Sequence, residues 1–281
     1  DDLRPFFDIN EYQMSMAGLV GDPCYPDIEH ALPPLPLGLA GSKLAAAFNR
    51  MNWHWWPSYS AISTRPVRGR NSCINLGPCN TGCPQGAKSS TDITYIRRAL
   101  NKGLTLITNA SVFEVMTANG RATGVRYKDE KGATHDMKAR VVVLAASALG
   151  TPRILLNSRA HTHSNGLGNS SDAVGRNLML HPLGYVEGLF DENLDIDSGP
   201  QGCMLYSHEF YRSEGASHKL GYMMHALRGT GPVEAATSAF LKRRLNFGRD
   251  MLGDFLNYYK KQIVLSIICE DTPKETNRVE L

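Results

Sequence analysis

The stretch VVVLAASALGTPRILLNS, residues 141–158, constrains the fold of this 281-residue chain more than any other. Residues 141–144 form a continuous apolar run, which is typical of a central parallel strand that is covered on both faces. Three small residues follow the run: Ala145, Ala146 and Ser147. Because ligands of open α/β sheets bind where a strand leads into a helix, the stretch predicts a nucleotide-sized ligand against this bare backbone.

The second half of the stretch predicts a helix. Thr151 has the side chain of a good N-cap. Pro152 suits the first helical position, because the N–H group that it lacks has no partner there. Strand, turn and helix are therefore predicted in immediate succession.

The residues that precede this stretch are typical of β-structure. Strands are predicted over residues 104–108, 112–117, 123–128, 134–138 and 141–145. The dipeptides Asn119-Gly120 and Lys131-Gly132 favour hairpin turns between consecutive strands. The sequence therefore predicts a β-meander ahead of the helix.

The remaining segments mix helices with strands. Helices are predicted over residues 2–20, 39–51, 91–101 and 234–252, and further strands over 183–190, 220–224 and 262–270. Residues 23–38 are rich in proline, which indicates an extended connection. The predicted fold class is mixed α/β (α+β).

The composition excludes some partners. A net charge of +3 is too small to indicate nucleic acid or a membrane surface as the partner. No apolar run approaches the roughly 20 residues that span a bilayer, so no transmembrane segment is predicted. The chain opens on a helical pattern and closes on the first residues of a strand. We therefore expect an internal segment of a longer protein.

Three cysteines lie on one loop rich in glycine, asparagine and proline. Cys73, Cys79 and Cys83 are separated by six and four positions. Such a loop lets three thiolates converge on an iron–sulfur cluster. Zinc is disfavoured because no fourth ligand lies nearby at finger spacing. A disulfide and the plain packing of buried thiols are the alternatives.

All three tryptophans lie close together in the chain, at Trp53, Trp55 and Trp56, with His54 among them. Their rings are a candidate surface for stacking on a sugar. More often, a cluster of this kind fills a core or a domain interface.

Five motifs in this order resemble the glucose–methanol–choline (GMC) family of flavoprotein oxidoreductases. They read CNTGCPQGAKSSTDITY, NASVFEV, GRATGVRY, VVVLAASALGTPRILLNS and GLGNSSDAVGRNLMLHP. The resemblance is strong over residues 73–182 and weaker on both sides. The stretch from Ser147 to Ser158 is close to the second signature of the family, although Arg159 stands where that signature has glycine.

The resemblance implies an FAD site. In relatives, the backbone of a valine in the meander packs against the adenine of FAD, which by motif position implies Val112. It also implies that the small residues at the end of the apolar run lie close to the cofactor: Ala145, Ala146 and Ser147. Gly175 to Pro182 resembles the passage into the substrate domain, and we expect His181 to be a capped or core histidine there.

Two features of the family are missing from the sequence. No G-x-G-x-x-G follows a predicted strand. The catalytic histidine of the family comes near the C-terminus of full-length members, and no residue here matches it. We therefore expect that histidine to lie beyond the end of this chain, which leaves the catalytic residues unassigned and the chain alone inactive.

The resemblance also implies a division of the chain. Residues 1–70 are predicted as a helical cap and substrate-side segment, residues 71–182 as part of a Rossmann-like FAD-binding domain with the inserted meander, and residues 183–281 as part of a β-sheet substrate domain.

The resemblance implies an FAD-dependent oxidoreductase that oxidises CH–OH groups of sugars, polyols or related alcohols by hydride transfer to the flavin. Its partners would be a small alcohol or sugar and an electron acceptor, which can be oxygen, a quinone or a protein. Two alternatives compete with it: an iron–sulfur electron-transfer segment of a multi-subunit sugar dehydrogenase, and a non-catalytic module that needs a partner segment.

Overall fold

The computed structural model of the chain describes residues 2–25, 29, 32–77, 79–212, 220–229, 231–245 and 247–281. These residues form two compact units. The first unit comprises residues 1–103 and 182–270, and the second comprises residues 104–181 and 271–281. The mixed α/β fold class is confirmed. The division at residues 70 and 182 into three functional parts stays a prediction.

The first unit contains a five-stranded sheet and most of the helices. The sheet has the order β1-β6-β7-β8-β5, and every neighbouring pair in it is antiparallel. Its strands are β1 (Trp56–Pro57), β5 (Leu183–Leu189), β6 (Gly202–Ser207), β7 (Tyr222–Arg228) and β8 (Gln262–Cys269). The helices are α1 (Arg4–Met14), α2 (Gly38–Met51), α3 (Arg97–Leu100), α5 (Pro232–Leu241) and α6 (Met251–Tyr258), and a π-helical turn (Asp92–Ile96) precedes α3.

The core of this unit lies between the sheet and α2. Phe48 of α2 packs with Leu205 of β6 and Ala226 of β7, and all three are at most 2% exposed. A smaller cluster joins α5 and α6 through Ala239, Leu245 and Phe255. The predicted helix over 234–252 is interrupted after α5, where Arg243 adopts a left-handed conformation with a φ of 55°.

The second unit is built on the predicted β-meander. Strands β2 (Ser111–Ala118), β3 (Arg121–Lys128) and β4 (Thr134–Lys138) form an antiparallel sheet in sequence order. The helix that follows, α4 (Ser147–Asn157), packs against β2. The hairpin predictions are correct because Asn119 and Gly120 both adopt positive φ, as does Gly132 in the second turn.

Two predicted strands of the second unit are wrong. Residues 104–108 and 141–145 belong to no strand, and Val141 and Val143 are 76% and 82% exposed. A central parallel strand needs a hydrogen-bonded neighbour on each side. The described residues supply no such neighbour to either segment, so apolar character alone does not make them strands.

The predicted start of α4 is also wrong. The helix begins at Ser147, four residues before the predicted N-cap, and Pro152 lies inside it. The Thr151 Oγ1 accepts a hydrogen bond from the Ala146 N–H at 3.1 Å, so this side chain binds the backbone before the helix. Residues 147–150 thus form the first helical turn.

Among the described residues, we find no helix of the length and apolarity that crossing a bilayer requires.

Candidate functional site

The small residues at the start of α4 form an open corner. Ala145, Ala146 and Ser147 are all exposed, and Ser147 has a φ of 65°. No bulky side chain of the described residues buries them. The backbone here is therefore accessible to solvent, and the contact of these residues with a nucleotide cofactor stays a prediction.

Val112 lies on β2, at an irregular point of the meander. It is half-buried and pairs with Tyr127, whereas Glu114 already pairs with Arg126, so that Phe113 has no opposite residue. This β-bulge disturbs the ladder beside Val112. Bulges of this kind are common next to functional sites, because they turn the backbone toward a ligand.

Ser158 ties α4 to β2. Its hydroxyl donates to the Ile154 carbonyl at 2.7 Å and accepts from the Val115 N–H at 2.8 Å. Ser158 is fully buried, and Val115 is 4% exposed. The last serine of the signature-like motif therefore fixes the strand that carries Val112 relative to the helix that follows the open corner.

Replacing Ser158 with alanine should lower the free energy of unfolding of the second unit by about 1–3 kcal/mol, since the Val115 N–H loses its acceptor in a buried place. Urea denaturation of Ser158→Ala measures this change. Ser170→Ala, an exposed serine of the same unit, is the control and should unfold with the wild type. Equal stability of Ser158→Ala and Ser170→Ala would contradict the assigned role.

The three cysteines of the loop line one small cavity together with Ile74 and Leu76. All three are free thiols. The Cys79 Sγ accepts from the Gln201 N–H at 3.2 Å, and the Cys73 Sγ accepts from the Asn75 N–H at 3.4 Å. Burial opposes ionisation of Cys83, but hydrogen bonds from the backbone of residues 85–88 outweigh it and lower the pKa of that thiol. The loop is thus suited to hold negatively charged sulfur.

Arg228 adds a positive charge next to this loop. It is 6% exposed, and its Nε has no hydrogen-bond partner among the described residues. Burial lowers the pKa of Arg228, and the nearby Cys73, Cys203 and Cys79 thiols raise it in part. A buried guanidinium with a free N–H favours an anionic group at the cysteines.

A larger cavity of about 870 Å³ adjoins the cysteine loop in the first unit. Its polar lining includes the side chains of Asn80, Gln201 and Glu234, and an ion pair of 2.8 Å joins Lys260 to Asp197 at its edge. Sequence reasoning missed this cavity, because its residues come from four separate segments.

The tryptophans do not form one aromatic face. Trp53 packs into the core between Phe48 and Phe210. The Trp55 Nε1 donates to Asn49 at 2.7 Å, and the Trp56 Nε1 donates to the Leu19 carbonyl at 2.8 Å. The packing interpretation therefore fits this cluster better than the sugar-stacking one.

Comparisons with known proteins agree on one family. Residues 61–183 match the family model described as GMC oxidoreductase. The chain is 36% identical to 2-methyl-1,2-propanediol dehydrogenase of Mycolicibacterium austroafricanum, over all of this chain and 52% of that protein. It is 27% identical to the fructose dehydrogenase large subunit of Gluconobacter japonicus, over 88% of this chain and 46% of that protein. The chain thus spans about half the length of these relatives.

One solved structure matches the chain at low similarity. It is an FAD-dependent oxidoreductase from Chaetomium thermophilum, with a TM-score of 0.46 and 15% sequence identity, and the match covers 91% of this chain and 54% of that one.

Proposed function

Because this chain belongs to the GMC oxidoreductase family, we propose that the full-length protein is an FAD-dependent enzyme that oxidises the CH–OH group of an alcohol, polyol or sugar. The observation that carries the proposal is the match over residues 61–183, which contains the cysteine loop, Val112 and the open corner. The names of the two relatives, a propanediol dehydrogenase and a fructose dehydrogenase subunit, support this substrate class.

The described residues fit a flavin dinucleotide at two places. The open corner at Ala145, Ala146 and Ser147 offers accessible backbone without bulk, and the bulged strand at Val112 offers backbone beside a half-buried side chain. We propose that Val112 contacts the adenine and that the corner contacts the rest of the dinucleotide. Bound FAD would supply the hydride acceptor, and the protein would supply orientation and electrostatics. We assign no described residue to proton removal.

The full-length protein should purify yellow with one FAD per chain, and its flavin absorbance should bleach when a 1,2-diol is added without oxygen. A vicinal diol is chosen because the 36%-identical relative is named for one. Addition of an alkane of the same carbon skeleton is the negative control, and it should leave the flavin absorbance unchanged. A colourless protein that neither holds nor takes up FAD would instead support a non-catalytic module.

The cysteine loop favours a second candidate role in electron transfer. Three free thiols line one cavity, and the buried Arg228 compensates negative charge beside them. Among the described residues, the sulfurs of these three cysteines do not all lie within 4.8 Å of one another. They are therefore too far apart to bind a single ion together. We propose that Cys73, Cys79 and Cys83 would bind separate irons of one iron–sulfur cluster.

Anaerobically purified protein should then contain several irons per chain and show the broad visible absorbance of an iron–sulfur cluster. Both should be lost in Cys79→Ser and retained in Cys269→Ser, which removes a thiol on β8 instead. Protein without iron whose flavin is still reduced by the diol would contradict the electron-transfer role of the loop and would agree with the flavin proposal.

A further inference from the structure

A second group of metal-ligating side chains lies in the first unit, and it does not involve the cysteine loop. Cys24, His54 and His208 bring their donor atoms within 4.8 Å of one another. They come from a turn at the start of the proline-rich connection, from the segment between α2 and β1, and from the residue after β6. No sequence motif indicates this group, because 30 and 154 positions separate its successive residues.

His54 is held by a buried carboxylate. Its Nε2 lies 2.9 Å from the Asp22 Oδ1, and the His208 N–H donates to its Nδ1 at 3.0 Å. Since Nδ1 accepts, Nε2 carries the proton and donates it to Asp22. Ligating histidines in metalloproteins usually donate their second ring N–H to a carboxylate in this way.

Asp22 is itself firmly placed. It is 1% exposed and accepts hydrogen bonds from the hydroxyls of Tyr206 and Tyr59 and from the Cys24 N–H. Burial tends to raise the pKa of this carboxyl, yet these hydrogen bonds and that of His54 lower it below its usual range. Asp22 therefore stays ionised and orients the His54 ring.

His208 has an unexplained buried atom. Its Nδ1 is inaccessible to solvent and has no hydrogen-bond partner among the described residues. Burial and the neighbouring His54 lower the pKa of His208. A neutral imidazole has one unprotonated ring nitrogen that can bind an ion. A buried nitrogen without a partner commonly marks a site that an ion or a water fills.

Cys24 closes the group from the solvent side. It is exposed, and it lines a cavity with Tyr25, His208 and Arg212. Partial burial of the sulfur and the nearby Asp22 raise the pKa of the Cys24 thiol. Coordination by a metal would release the thiol proton to water.

We propose that Cys24 Sγ, His54 Nδ1 and His208 Nδ1 bind one zinc ion, with Asp22 orienting His54 from behind. One thiolate and two imidazoles are a donor set that zinc prefers, and three protein ligands leave the fourth position open toward the cavity. Zinc bonds of about 2.0–2.3 Å require the three donors to close by roughly 1 Å, and the ion takes the His54 lone pair that the His208 N–H now uses.

Cobalt titration of the metal-stripped full-length protein tests the proposal. Wild type should bind one cobalt ion with a thiolate-to-cobalt charge-transfer band in the near ultraviolet, and zinc should displace it. Cys24→Ser should lose that band, and Cys24→Ser and His208→Gln should bind cobalt at least about 100-fold more weakly. Cys79→Ser, which removes a thiol of the loop, should keep the band and the affinity.

A stability measurement separates binding from misfolding. Zinc should raise the melting temperature of wild type by roughly 5 °C and that of Cys24→Ser by none, while both melt together without metal, because Cys24 is exposed. Unchanged flavin content in Cys24→Ser would separate this site from the proposed function. Absence of cobalt binding in wild type, or an unchanged band in Cys24→Ser, would overturn the proposal.

Discussion

Replacement of Ala146 by leucine should strip FAD from the full-length protein while its fold stays intact. Ala146 is exposed at the open corner, so a larger side chain can extend into solvent there. Only a bound ligand would occupy the space that the leucine needs. A steric cost of about 3 kcal/mol weakens FAD binding by at least about 100-fold. Flavin fluorescence after gel filtration, compared with protein concentration, measures the retained cofactor.

Ala133→Leu is the matched control. Ala133 is exposed between β3 and β4 of the same unit, and the substitution adds the same atoms. This variant should keep the wild-type flavin content. Full flavin retention in Ala146→Leu, with unchanged circular dichroism, would place the cofactor elsewhere.

Replacement of Gly124 by valine should destabilise the meander by on the order of 3 kcal/mol. A Cβ atom at Gly124 would lie 2.1 Å from the Met137 carbonyl oxygen and 2.9 Å from the Lys138 Cα, both of which are backbone atoms. Because backbone atoms cannot rotate away as a side chain does, β3 and β4 would have to separate. The midpoint of urea unfolding, followed by circular dichroism, measures the loss.

Ala122→Val provides the comparison on the same strand. Ala122 is exposed and pairs with Thr117 on β2, and β-branched residues suit such positions. We expect this variant to unfold within about 0.5 kcal/mol of wild type. Similar midpoints for Gly124→Val and Ala122→Val would show that the strands separate at little cost, contrary to the contact distances.

Much of the second unit could be predicted from the sequence, since its structure is local. The Asn119-Gly120 turn allows two successive residues with positive φ, and this fixes the register between β2 and β3. The strand predictions over 112–117, 123–128 and 134–138 therefore hold to within two residues. The five-stranded sheet was harder, because long stretches of chain separate β1 from its partner β6 and β5 from its partner β8, and β6 itself went unpredicted.

The candidate flavin site was predicted only in part from the sequence. The motif from Ser147 to Ser158 indicates the family from the sequence alone, and the family match over residues 61–183 agrees with it. The role of Ser158 did not follow from the motif. Its hydrogen bond to the Val115 N–H joins residues 43 positions apart, and only the packing of α4 against β2 shows it.

By itself, the sequence determined the family, the mixed α/β class and the hairpins of the meander, because turn residues and short motifs act within a few positions of the chain. The tertiary structure alone decided that residues 141–144 form no strand, with Val141 and Val143 exposed, and that Cys24, His54 and His208 meet. The missing strand and the group of three ligands both depend on partners from distant segments of the chain. Packing between elements, rather than the local preference of a few residues, decides which strands pair and which side chains meet.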